Sequence, residues 1–188
     1  MNSKPHVCPV WVGYLLAHPI RKLFQNPERI LASHIKPGMT VVDVGCAMGF
    51  FTIPAAEMVG KNGRVIAVDL QPKMLKELKK RARKAGVADR IQTRLCSAKS
   101  VGLSDLAEQV DVVLSIAMVH ETPNPEGLLG ELSRCLKPEG RLLVAEPRGH
   151  VSAAMFDDTL GWAAAAGLTT LERPSIGKSH SAWLAKPS

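Results

Sequence analysis

Aromatic residues are scarce in this chain of 188 residues: four Phe, three Trp and one Tyr, 4% in all. Its core must therefore be aliphatic, built from Val, Ile, Leu, Met and Ala. Cysteine is scarce too. Cys8, Cys46, Cys96 and Cys135 share no paired spacing, so the chain encodes neither a zinc site nor a disulfide framework. No metal is expected, and the pattern suits a reducing compartment. Long apolar runs are missing. Residues 7–17, preceded by Lys4, superficially look like a secretory leader, but they include Pro9, Trp11, Gly13 and Tyr14 and no clear small-x-small cleavage site follows. The run is too short to cross a bilayer, and the expected location is cytoplasmic. No repeat or low-complexity tract appears, and the length suits one domain with a proper core.

Hydrophobic residues make up 46% of the chain and charged residues 22%, an ordinary globular balance that excludes disorder. The net charge is +7. Much of the excess lies in residues 72–84, PKMLKELKKRARK. As a helix this stretch groups Met74, Leu78 and Ala82 on one face. Lys76, Lys79, Lys80 and Arg83 then form a solvated outer face. A nucleic-acid patch is the alternative, but no aromatic side chains interleave to stack bases.

From residue 38 onward, short apolar strands alternate with amphipathic helices, the pattern of a parallel sheet with crossover helices. Strands are expected at 40–44, 64–69, 90–95, 110–115 and 141–146. The first, fourth and fifth are nearly continuous in Val, Leu and Ile, as strands covered on both faces should be. Gln71-Pro72 opens one helix and Gly86 closes it. Residues 123–136 supply another, stopped by the run from Lys137 to Gly140, and residues 152–166 a third, closed by Gly167. Two late strands, 169–173 and 181–186, make an antiparallel pair at the sheet edge. Before residue 38, Asn26-Pro27-Glu28 is a helix start with Ile30, Leu31, His34 and Ile35 as its apolar stripe. Residues 1–37 are expected to form a helical extension that lids the domain at 38–188, with Trp11, Tyr14 and Phe24 as lid material and Arg21 and Arg29 near the site.

Chemistry concentrates at residues 41–51, Val-Val-Asp-Val-Gly-Cys-Ala-Met-Gly-Phe-Phe. A buried strand ends in a tight turn of small residues that leads into a helix near Gly49. Such a turn lets backbone approach a ligand closely, and the helix offers free N–H groups. Asp69 ends the second strand, 26 positions after Asp43. There it can accept hydrogen bonds from both hydroxyls of an adenosine ribose. A dinucleotide fingerprint would want small residues at 45, 47 and 50, but position 50 is Phe. The pattern acid-x-Gly-x-Gly-x-Gly is met at Asp43, Gly45 and Gly49, with Ala47 in the middle slot. That Ala is tolerable if its φ is negative.

These residues resemble motif I of class I methyltransferases that use S-adenosylmethionine (SAM), in particular the small-molecule group related to ubiquinone/menaquinone C-methyltransferases. The resemblance covers residues 38–186. It extends through Asp69-Leu70, the fourth-strand run from Asp111 to Ala117, the 136–143 segment, and the apolar-His ending Met118-Val119-His120. It implies a Rossmann-like α/β fold: a doubly wound seven-stranded sheet, mostly parallel, with the last strand antiparallel. It also implies SAM as cofactor, held by Asp43, Gly45, Cys46, Ala47, Gly49, Asp69, Leu70, Ser97, Ala98 and Ser115. Where the family often has an acid bonding the adenine amino group after the third strand, this chain has Cys96-Ser97-Ala98.

Methyl transfer by displacement needs a base only if the acceptor must lose a proton. His120, just beyond the fourth strand, is the candidate, against a plain loop histidine bonding backbone. Glu121, Glu146 and His150 are further cleft candidates. Three thiols, Cys8, Cys46 and Cys96, resemble those of arsenite methyltransferases, though nothing in their spacing demands a metalloid. The expected reaction is methyl transfer to a small molecule. An RNA or protein methyltransferase and a non-catalytic SAM-binding regulator stay open beside it.

Overall fold

The computed structural model describes residues 25–188. Seven strands form one sheet: β1 (Thr40–Val44), β2 (Arg64–Asp69), β3 (Ile91–Leu95), β4 (Val110–Ile116), β5 (Leu136–Pro147), β6 (Thr169–Glu172) and β7 (Ser179–Ala185), in the order β3-β2-β1-β4-β5-β7-β6. The first five run parallel. β7 lies antiparallel between β5 and β6. The chain winds outward from β1 in both directions, so the order reverses between β1 and β4. In such sheets ligands bind at the strand C-termini of that reversal.

Alternation sets the two layers. Val42, Val44, Ile66, Val68, Val113, Leu142 and Val144 pack on one face. Val41, Val65, Val112, Leu114, Leu143 and Trp183 pack on the other. Both sets are buried, because helices cover both faces: α1 (Pro27–Leu31), α2 (Thr52–Val59), α3 (Pro72–Ala85), α4 (Pro125–Cys135) and α5 (Ala153–Ala165). α3 buries Met74, Leu75, Leu78 and Ala82 and leaves Lys76, Lys79, Lys80 and Arg83 exposed, as its pattern predicts. Among the described residues no helix is long and apolar enough to cross a membrane.

Capping explains the ends that differ from expectation. Asn124 accepts from the Gly127 N–H, so α4 begins at Pro125 and not at 123. Residues 137–140 do not separate α4 from β5. They are already strand, with Leu136 paired to Val110 and Glu139 at φ +63°. Asn26 caps α1 by accepting from the Arg29 N–H. Leu31 and Ile35 are buried beside Ala55 and Val59, so the chain from Pro27 onward packs into the sheet domain, upstream of the expected boundary at residue 38. The lid expected of the first 24 residues, with Trp11, Tyr14, Arg21 and Phe24, lies outside the described residues.

Candidate cofactor and acceptor site

The turn after β1 is built from left-handed backbone: Gly45, Ala47 and Gly49 have φ of +72°, +45° and +85°. Ala47 therefore departs from the negative φ its methyl group calls for, at a cost of about 1–2 kcal/mol. Its N–H donates to Asp69 Oδ2 at 2.8 Å, which fixes that strained residue in place. The N–H groups of Gly45 and Cys46 both donate to the Val68 carbonyl, at 2.9 and 3.0 Å. Arg81 of α3 donates to the Met48 carbonyl at 2.7 Å, and Thr52 Oγ1 donates to Asp43 Oδ2 at 2.5 Å. Every turn of this segment is thus pinned to a neighbouring element.

A cavity of about 200 Å³ opens over the C-terminal ends of β1, β2 and β4. Eight of the expected cofactor residues line it: Asp43, Gly45, Cys46, Ala47, Asp69, Leu70, Ser97 and Ala98. Gly49 does not. A Cβ there would sit 2.2 Å from Leu78 Cδ1, so this glycine serves the close approach of α3. Ser115 does not either: it is fully buried in β4, paired with Val44 and Val144. The structure adds Met118 and Glu131 to the lining and places the cleft candidate Glu121 there, with Glu146 and His150 outside it. Met118 packs close to Gly45, where a Cβ would meet its Sδ at 2.9 Å.

Asp69 is buried, and burial pushes its carboxyl above the usual range, against the hydrogen bonds that hold it down. Oδ1 accepts from the Gln71 N–H and Oδ2 from the Ala47 N–H, both at 2.8 Å. The Leu70 backbone also bonds this carboxylate, which lines the cavity.

At the other end of the cleft Ala117, at φ +56°, turns the chain off β4 into a 3₁₀ turn, Val119–Glu121. The fully buried Glu146 of β5 receives that turn. It accepts N–H bonds from Met118, Val119 and His120 at 3.1, 3.0 and 3.4 Å. It also holds a short hydrogen bond with His120 Nδ1. His120 stands beside the cavity and outside its lining, with its ring stacked on His150 at 5.6 Å. The Glu146 hydrogen bond raises the His120 pKa above its ordinary value, more than burial lowers it. Glu121 does line the cavity, and burial raises its carboxyl.

Burial also pushes the Cys46 thiol well up and the Cys96 thiol up to about 11. Cys46 is buried and Cys96 half-buried, and both line the cavity. Cys8 lies outside the described residues.

A family model described as "Methyltransferase domain" matches residues 35–175. The chain is 32% identical over 133 residues to an arsenite methyltransferase from Halobacterium salinarum, covering 71% of this chain and 32% of that protein. It is 32% identical over 128 residues to a ubiquinone/menaquinone biosynthesis C-methyltransferase from Ectopseudomonas mendocina, covering 66% of this chain and 49% of that protein. The chain thus spans between a third and half of the length of these curated relatives. In fold it is similar to a SAM-dependent methyltransferase from Aquifex aeolicus, with a TM-score of 0.84 at 24% identity over 96% of this chain and all of that one. Pinned turn, sheet order and sequence relatives agree: this chain belongs to the methyltransferase-domain family.

Proposed function

We propose that this chain transfers a methyl group from SAM to a small-molecule acceptor. The observation that carries the reading is Asp69: a buried carboxylate at the end of β2, oriented by backbone N–H groups of Ala47 and Gln71 and lining the cavity. A vicinal diol brings the hydroxyl donors that such an acceptor takes. The turn around Gly45 offers the close backbone approach that the rest of a nucleoside needs.

When bound, SAM supplies a methyl group already activated on a sulfonium. Alignment and the exclusion of water are then the main tasks of the protein. Asp69 would hold the ribose, and the Gly45–Ala47 turn would hold the amino-acid arm. Met118 and the Phe50–Phe51 pair, in edge contact at 5.3 Å, give the cleft dry walls. For an acceptor that must lose a proton, His120 is the base. A carboxylate only accepts, so Nδ1 carries the proton shared with Glu146 and a neutral ring keeps its lone pair on Nε2. Glu146, held by three backbone N–H groups, acts through His120 as a positioning residue.

The relatives named above act on small molecules by their descriptions, which supports an acceptor of that class. The free thiols Cys46, Cys96 and Cys135 fit a cytoplasmic setting. The test is SAM turnover against a panel of phenols, amines, thiols and quinols, read as S-adenosylhomocysteine release. At least one small acceptor should support turnover. Methylation of RNA alone, lost together with RNA binding when Lys76, Lys79, Lys80 and Arg83 become Gln, would replace this reading with the nucleic-acid one. Cofactor binding without any turnover would leave a non-catalytic SAM-binding protein.

A further inference from the structure

One acid in the cavity wall comes from outside every motif. Glu131 of α4 holds the β3–β4 connection: Ser100 Oγ and the Leu103 N–H donate to its Oε1 at 3.1 and 2.9 Å. The Val101 N–H donates to its Oε2 at 3.2 Å. With two lone-pair sites per oxygen, Oε1 is filled and Oε2 keeps one. Glu131 is only partly buried and lines the same cavity as Asp69, Ser97 and Ala98. It lies near that segment, because its charge adds to burial and to the Asp69 charge in raising the Cys96 thiol.

What meets that free acceptor follows from the proposed function, on which this inference rests. A ribose held at the tip of β2 has its two substituents leaving to opposite sides. β1 and β4 lie on one side of β2, and β3 on the other. The amino-acid arm belongs with the Gly45–Ala47 turn, so the base points toward the β3 end. There the walls are Leu70, Ala98, Val101 and Leu128, flat apolar surfaces suited to a planar ring.

We infer that Glu131 reads the base of the cofactor, its Oε2 accepting a hydrogen bond from the exocyclic amino group of adenine. The acid that Ser97 fails to supply after β3 is then supplied from α4, and the carboxylate that shapes the loop also selects the ligand. A 6-oxo base would set its carbonyl oxygen against this carboxylate, so selection has a repulsive part as well as an attractive one.

The test is calorimetry on the full chain with three probes: S-adenosylhomocysteine, S-inosylhomocysteine, and the analogue whose purine has no 6-substituent. Wild type should bind the adenosyl compound at least about tenfold more tightly than either other probe, the scale of one charge-assisted hydrogen bond. In Glu131→Gln that ratio should collapse toward one. A residue that only clamps the loop would weaken all three probes alike and leave the ratio intact, which overturns the inference. Equal affinities in wild type overturn it without any variant, so a variant that fails to fold does not rescue it. If wild type binds none of the three, the cofactor reading itself fails, an outcome distinct from a lost ratio.

Discussion

At the Asp69 end of the cleft the polar contacts are backbone N–H groups held within one turn, from Gly45 to Gly49. At the His120 end they are side chains gathered from β5 and from the turn after β4. Asp69 is fixed from Ala47 and Gln71, close neighbours across a single βαβ unit. Glu146 reaches back 26 to 28 residues to hold Met118, Val119 and His120. The first arrangement suits a constant ligand, since backbone groups cannot be exchanged by substitution. The second leaves its side chains free to vary with the acceptor. Binding should therefore fail at one end and turnover at the other.

The sharpest separation comes from His120→Ala. It should leave S-adenosylhomocysteine affinity unchanged while kcat for a proton-losing acceptor falls about 10²–10⁴-fold. Glu146→Gln sharpens the same point through pH. The carboxylate raises the His120 pKa, so the neutral, basic ring of wild type appears only as pH rises past a midpoint above the ordinary histidine value. Without that charge the midpoint should move to lower pH. An unmoved profile removes Glu146 from the mechanism. The linked stability runs the other way: the His120–Glu146 ion pair contributes fully below the unfolded histidine pKa near 6.5, and its contribution is lost as pH rises through the raised folded value.

Asp69→Ala addresses the other end. It should weaken S-adenosylhomocysteine binding about ten- to a hundredfold, because a charge-assisted pair is lost and the Ala47 N–H loses its acceptor. Equal affinity would break the comparison outright. Gly49→Ala tests packing under the same turn. The new Cβ meets buried Leu78 at 2.2 Å and sits at φ +85°, so unfolding should show a loss of about 2 kcal/mol. The smallest effect is expected of Ala47→Gly. Relief at φ +45° should stabilise the chain by at most about 1 kcal/mol, offset in part by the freer unfolded glycine, with ligand affinity unchanged.

This contrast also governs what could be read in advance. β1 and β2 were legible to the residue because continuous Val and Ile end at acids and turns, and the spacing of Asp43, Gly45 and Asp69 is a local property. Gly49 was placed correctly in the turn, and what its missing Cβ faces, Leu78, is a contact that no spacing in the sequence encodes. Ser115, expected at the cofactor, lies outside the cavity lining for a related reason. Whether a residue at a strand end points up into the cleft or sideways into the sheet depends on register with β1 and β5, which is a tertiary fact. Glu131 carried no signal at all, since on α4 it looks like any solvent-facing helix acid. Its role appears only when the β3–β4 connection folds over it.

The central claim is that a nucleoside-sulfonium cofactor, and not a dinucleotide, occupies the cleft beside Asp69. Parallel calorimetric titrations of the full chain with S-adenosylhomocysteine and with NADH test it most directly. The account predicts micromolar binding of S-adenosylhomocysteine and markedly weaker binding of NADH. Tighter NADH, or no heat from S-adenosylhomocysteine, would contradict it.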